Sequence, residues 1–132
     1  MPGFERETTV HGPDADAAGI VWFGHFFRYL EETEEELFRA RGRERQALID
    51  ALGVFMPRTH LEIGFRAPAR LNDRLVIAMR AEPAGARRLT WTFQIRQQNG
   101  TVVCEGTYRV ACVDRATFEA RDFPAEILAA VG

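Results

Sequence analysis

The chain is 132 residues long, 46% hydrophobic and 27% charged, with a formal net charge of −2. That length suits one domain with one core and one site, and the near-neutral balance excludes whole-molecule attraction to nucleic acid or an anionic membrane. No apolar run approaches the roughly 20 residues that span a bilayer, and the opening MPGFERETTV lacks a signal-peptide core, so a cytoplasmic protein is expected.

In chain order, Phe4 to Val10 reads as a short strand, followed by a loop from His11 to Gly19 rich in turn formers: Gly12, Pro13, Asp14, Asp16 and Gly19. From Phe23 the apolar positions Phe23, Phe26, Phe27, Leu30, Leu37 and Phe38 recur at helical spacing, and Gly42 marks the stop of a helix of about five turns. A second helix is expected over Arg45–Leu52. The segments 56–65, 74–81, 88–97 and 101–113 then read as four consecutive antiparallel strands, separated by turn signals at Pro68, Gly85 and Asn99-Gly100. A short helix near 124–131 closes the chain. Cys104 and Cys112 fall in strand-like sequence and are read as buried apolar residues.

These elements predict an α+β domain, a curved antiparallel sheet packed on one long helix. A sheet of that kind keeps open edges, usually covered by a second copy, so a homodimer is expected.

The chemistry concentrates in Pro13–Glu32. Asp14 and Asp16 precede a helix N-terminus, where free N–H groups and the dipole favour negative charge. Either acid could cap the helix. Equally, a carboxylate beside unpaired N–H groups is a nucleophile or general base next to an oxyanion site, the requirement for attack on an ester or thioester carbonyl. Glu34 falls inside the apolar stripe and should therefore have a charged partner.

The run Asp14-Ala15-Asp16-Ala17-Ala18-Gly19-Ile20-Val21-Trp22-Phe23 resembles the DxDxxGxVxF/Y signature of the hotdog-fold thioesterases of the 4-hydroxybenzoyl-CoA thioesterase family. Gly64 to Asp73, and Val103-Cys104-Glu105-Gly106, are similar to further stretches of that family, so the resemblance spans nearly the whole chain. It implies a single hotdog domain over 1–132 that hydrolyses an acyl-CoA as a homodimer or homotetramer, and the aromatic residues Trp22, Phe23, Phe26 and Phe27 near the site lean toward an aryl or medium-chain acyl group. Coenzyme A is then part of the substrate, and neither cofactor nor metal is implied.

Carried over by position, Asp16 is the catalytic acid, as nucleophile or base, and Phe23 supplies the backbone N–H that polarises the carbonyl. Gly19 and Trp22 would lie against the acyl group, with Asp14 a less direct acid. His25 stands where the family frequently has Asn, and His60, with its neighbour Thr59, stands where some members carry His; both histidines are further candidates. Arg87 and Arg88 match a basic pair that contacts the nucleotide, with Arg66 and Arg70 adding positive charge. Two rivals share some of these features: a non-catalytic acyl-CoA-binding module, and a hotdog hydratase or dehydratase acting on acyl thioesters.

Overall fold

The computed structural model describes residues 3–132. In chain order it comprises β1 (Phe4–Thr9), a 3-10 turn (Gly12–Asp14), α1 (His25–Ala40), α2 (Arg45–Leu52), β2 (Val54–Phe55), β3 (Arg58–Phe65), β4 (Arg74–Pro83), β5 (Arg88–Gln97), β6 (Val102–Ala111), β7 (Val113–Asp114) and α3 (Ala125–Val131). The α+β arrangement expected from sequence is present: α1 packs on an antiparallel sheet of five strands.

Local chemistry accounts for the element ends. Glu44 caps α2 by accepting from the N–H groups of Gln46 and Ala47, and Gly53 ends it in the left-handed conformation at φ +66°. Along β5, Leu89, Trp91, Phe93 and Ile95 are buried while Thr90, Thr92, Gln94 and Arg96 alternate with them on the outer face. The opposing stripe of α1 buries Phe26, Leu30, Leu37 and Phe38, each worth about 1.5–3 kcal/mol.

Three expectations require correction. The helix begins at His25 rather than Phe23, so Phe23 is 56% exposed and Phe27 stays at the surface, while Tyr29 and Thr33 join the buried stripe. The four later strands do not form one meander: the order is β1-β4-β5-β6-β3, so only β4, β5 and β6 are successive hairpin neighbours. The connection 66–73 carries the chain from one side of that hairpin set to the other, leaving β3, with its exposed Leu61 and Phe65, as a sheet edge. Finally, the expected strand 101–113 ends at Ala111, and Val113-Asp114 turns away to pair with Val54-Phe55. Cys104 and Cys112 are free and buried; Cys104's thiol is pushed up to about 12 by burial and by the neighbouring Glu105 charge.

Gly106 on β6 sets how closely β3 approaches. A Cβ at this position would lie 1.9 Å from the Glu62 carbonyl oxygen, so any side chain must push the edge strand outward. Gly106→Ala is expected to cost about 1–3 kcal/mol in urea denaturation, the range for forced overpacking. Unchanged stability would show that β3 relaxes freely.

Candidate active site

The loop from His11 to Phe23 is fixed before it reaches the helix. Ala15 and Val21 form an antiparallel bridge; the Asp16 N–H donates to the Ile20 carbonyl at 2.8 Å, and the Gly19 N–H donates to the Asp16 carbonyl at 3.0 Å. Gly19 sits at φ +79°, a left-handed conformation that a side chain would strain. The 66–73 connection holds the loop from the other side: the Val21 N–H donates to the Ala69 carbonyl at 2.8 Å, and Asp73 closes its own turn by accepting from the Arg70 N–H at 2.8 Å.

Within this frame, one oxygen of Asp16 accepts from the Ala18 N–H at 2.8 Å, and among the described residues its second oxygen has no partner. The exposed Asp16 lines a pocket of about 340 Å³ with Ile20, Trp22, Phe23, Phe26, Phe65 and Pro68. Phe23 stands just before α1, and among the described residues its N–H makes no hydrogen bond; its carbonyl accepts from the Phe26 N–H at 3.3 Å. A carboxylate with a bare oxygen and the residue carrying an unbonded N–H beside the helix start thus line one pocket. That pair can act on a carbonyl. The Trp22 ring lies over Gly24, edge-on to His25 and 5.0 Å from Phe23, with half of its surface exposed.

Neither aspartate caps α1, whose N-cap is Gly24 without a side-chain cap. Asp14 is instead buried, at 4% exposure. It accepts from the His11 N–H at 3.0 Å and the Tyr29 hydroxyl at 2.9 Å, and it pairs with the Arg28 guanidinium. Burial would raise its pKa, but the bonds from His11 and Tyr29 and the charge of Arg28 outweigh that and hold the carboxyl below its ordinary 3.8. Its contribution to stability is therefore present above that value and lost as pH falls through the lower folded one. Burial, then the Asp14 charge, push the Tyr29 hydroxyl pKa well up.

His25 is the first residue of α1 and lies 3.9 Å from Asp14, so the structure brings it to that acid rather than to Asp16. Thr59 and His60 lie at the other end of β3 from Phe65, about 17 Å of strand away, where they line a second pocket of about 460 Å³ with Phe27, Leu30, Leu61 and Tyr108. His60 contacts Glu62 at 3.2 Å. Arg87, in the β4–β5 turn, pairs with Asp122 at 3.0 Å, and Arg88 starts β5; neither lines the Asp16 pocket. Arg66 lies 3.6 Å from Glu105, and Arg70 is exposed.

Residues that the sequence reading did not place in the site are Phe65, Ala67 and Pro68, which wall the Asp16 pocket, and Arg28 and Tyr29, which hold Asp14. A hydroxyl on the buried stripe of α1 was the available signal for Tyr29. Glu34 has the partners its burial demanded: the Tyr108 hydroxyl at 2.7 Å, Arg58 at 2.9 Å and Arg45 at 3.2 Å.

Residues 10–131 match the family model described as thioesterase-like superfamily. The chain is 29% identical over 126 residues to the acyl-CoA thioester hydrolase YbgC of Escherichia coli O6:H1, covering 96% of this chain and 93% of that protein. It is 26% identical to the 1,4-dihydroxy-2-naphthoyl-CoA hydrolase of Nostoc punctiforme, across 95% of this chain and 84% of that one. Among solved structures it resembles Slr0204, a 1,4-dihydroxy-2-naphthoyl-CoA thioesterase from Synechocystis, with a TM-score of 0.89 and 25% identity over 97% of this chain and 94% of the other. The hotdog fold implied by the sequence resemblance is the fold of these structural neighbours.

Proposed function

From a chain that belongs to the thioesterase-like superfamily, we propose an enzyme that hydrolyses acyl-CoA thioesters to free acid and coenzyme A at the Asp16 pocket. The observation that carries this reading is the placement of a carboxylate with one unpartnered oxygen in the same pocket as the unbonded Phe23 N–H. Asp16 either attacks the thioester carbonyl, giving a mixed anhydride that water then opens, or removes a proton from an attacking water. In both routes the carbonyl oxygen becomes an oxyanion, which the Phe23 N–H and the helix dipole stabilise. The thiolate of coenzyme A leaves without strong acid assistance, which suits a site built on one carboxylate.

The enzyme acts in the cytoplasm as a homodimer or a pair of dimers, joined through β3. Among the described residues that edge is bonded only to β6 and shows Leu61 and Phe65 to solvent, whereas β1, the other edge, is a charged strand. Two copies of β3 meeting antiparallel bring the 59–60 end of one against the Phe65 end of the other. Thr59 and His60 of the partner subunit then complete the Asp16 pocket, and the two cavities of each chain become composite. Aromatic and aliphatic walls suit an aryl or medium-chain acyl group, and Arg87 and Arg88 meet the phosphates of coenzyme A.

Product analysis tests the reaction class. Mass spectrometry should find free acid and free coenzyme A in equal amounts from a benzoyl- or octanoyl-CoA substrate. A hydrated product that keeps its thioester would favour a hydratase. For the dimer, Leu61→Arg places a charge on the β3 edge and should give a monomer by light scattering with most turnover lost. A fully active dimer would exclude this edge.

A further inference from the structure

We propose that Asp14 is a positioning residue that sets the distance between Asp16 and the Phe23 N–H by clamping both ends of the intervening loop to α1. This inference rests on the reading of Asp16 and Phe23 as the reacting pair. A carboxylate at 4% exposure in a surface loop is costly to bury unless it is fully bonded, and here the bonds come from separate parts of the chain. The His11 N–H holds it to the loop entrance at 3.0 Å, and its own carbonyl accepts from the Trp22 N–H at 3.2 Å, one residue before the oxyanion donor. Its carboxylate receives the Tyr29 hydroxyl at 2.9 Å and the Arg28 guanidinium, both from the first turns of α1.

The remaining ionisable neighbours among the described residues belong to the same helix. His25 Nδ1 lies 3.9 Å from Asp14 Oδ1, and Glu32 steadies Arg28 by accepting from it at 2.6 Å. Asp14 thus ties together the entrance of the loop, its exit and the helix whose N-terminus faces the substrate, while lining no part of the Asp16 pocket. A clamp with that placement acts on the alignment of attack, to which rate is more sensitive than substrate affinity.

Asp14→Asn keeps the size of the side chain but turns an amide N–H toward donors, either Arg28 or the His11–Tyr29 pair. It should lower kcat by about 10- to 100-fold with KM changed less than about threefold, the scale of a misplacement near 1 Å. Amide exchange across residues 15–23 should quicken while β4 and β5 keep their protection. Tyr29→Phe removes one bond and leaves the carboxylate, so it should fold and show a smaller fall in kcat with the same unchanged KM.

Both variants turning over as the wild type does would overturn the proposal, as would losses that merely follow the unfolded fraction. Loop exchange unchanged in Asp14→Asn would do the same. A wild type that releases no thiol, with loop exchange still accelerated by Asp14→Asn, would instead remove the hydrolytic reading and leave the clamp standing.

Discussion

Replacing Asp16 by asparagine is expected to reduce kcat by about 10³-fold, within the 10²- to 10⁴-fold range for a positioned proton acceptor, while KM stays nearly constant. The amide oxygen can still accept from the Ala18 N–H, so the Asx turn that shapes the loop survives. What is lost is the second oxygen, the one proposed to attack the carbonyl or take the proton from water. Asp16→Ala removes both functions and also frees the turn, so it should add a rise in KM to the same loss of kcat. A pair of variants with equal kinetics would mean that the turn contributes nothing to binding. An Asp16→Asn enzyme within about tenfold of the wild type would mean that another group performs the attack.

The second large effect lies away from the chemistry. Glu34 at 4% exposure joins four elements: its own helix α1, α2 through Arg45, β3 through Arg58 and β6 through the Tyr108 hydroxyl. Glu31 also bonds Arg45 and Arg58, and Glu35 bonds Arg45, so the cluster contains two cations and three carboxylates. Burial first, and then the adjacent Glu34 charge, drive the Tyr108 hydroxyl pKa far upward, so it remains a donor at any working pH. Glu34→Ala leaves that buried hydroxyl unpaired and removes the shared acceptor of both arginines.

Breaking a fully buried pair costs about 3–5 kcal/mol, and the 43% exposure of the Arg58 side chain reduces this to about 2–4 kcal/mol. The midpoint in urea should fall with the slope unchanged. Glu34→Gln still accepts from Tyr108 and should lose less. A Glu34→Ala chain within about 0.5 kcal/mol of the wild type would show the cluster to be energetically idle.

Much of this was legible in the residues because the signals were local. Helix α2 and strand β5 have the expected bounds: Glu44 and Gly53 bracket the first, and strict alternation from Leu89 to Ile95 defines the second. The Asn99-Gly100 turn joins β5 to β6 as its composition indicated, with Gly100 at φ +94°. The strand order was not legible. Residues 66–73 have the same turn formers as a hairpin, yet they carry β3 to the far edge, and no local pattern distinguishes the two routes. The start of α1 was misread for a related reason. Apolar periodicity continues through Phe23, but the Trp22 N–H is already taken by Asp14 and the helical bonds begin later.

For the candidate site, Asp16 and Phe23 were singled out by a motif, whereas the residues that wall their pocket or hold Asp14 were not. Arg28 reads as one more solvated charge on α1 until Asp14 is seen buried beside it. Thr59 and His60 share a strand with Phe65 yet line a different pocket from Asp16, and no local pattern in the sequence separates the two ends of that strand.

Release of free thiol by the wild-type protein, from a panel of aryl, short-, medium- and long-chain acyl-CoAs, tests the central claim most directly. The proposed function predicts turnover of at least one aryl or medium-chain member with kcat/KM of about 10⁴ M⁻¹s⁻¹ or more, the lower range for enzymes on their own substrates. Binding of several acyl-CoAs without thiol release from any of them would contradict it and make the chain an acyl-CoA-binding module.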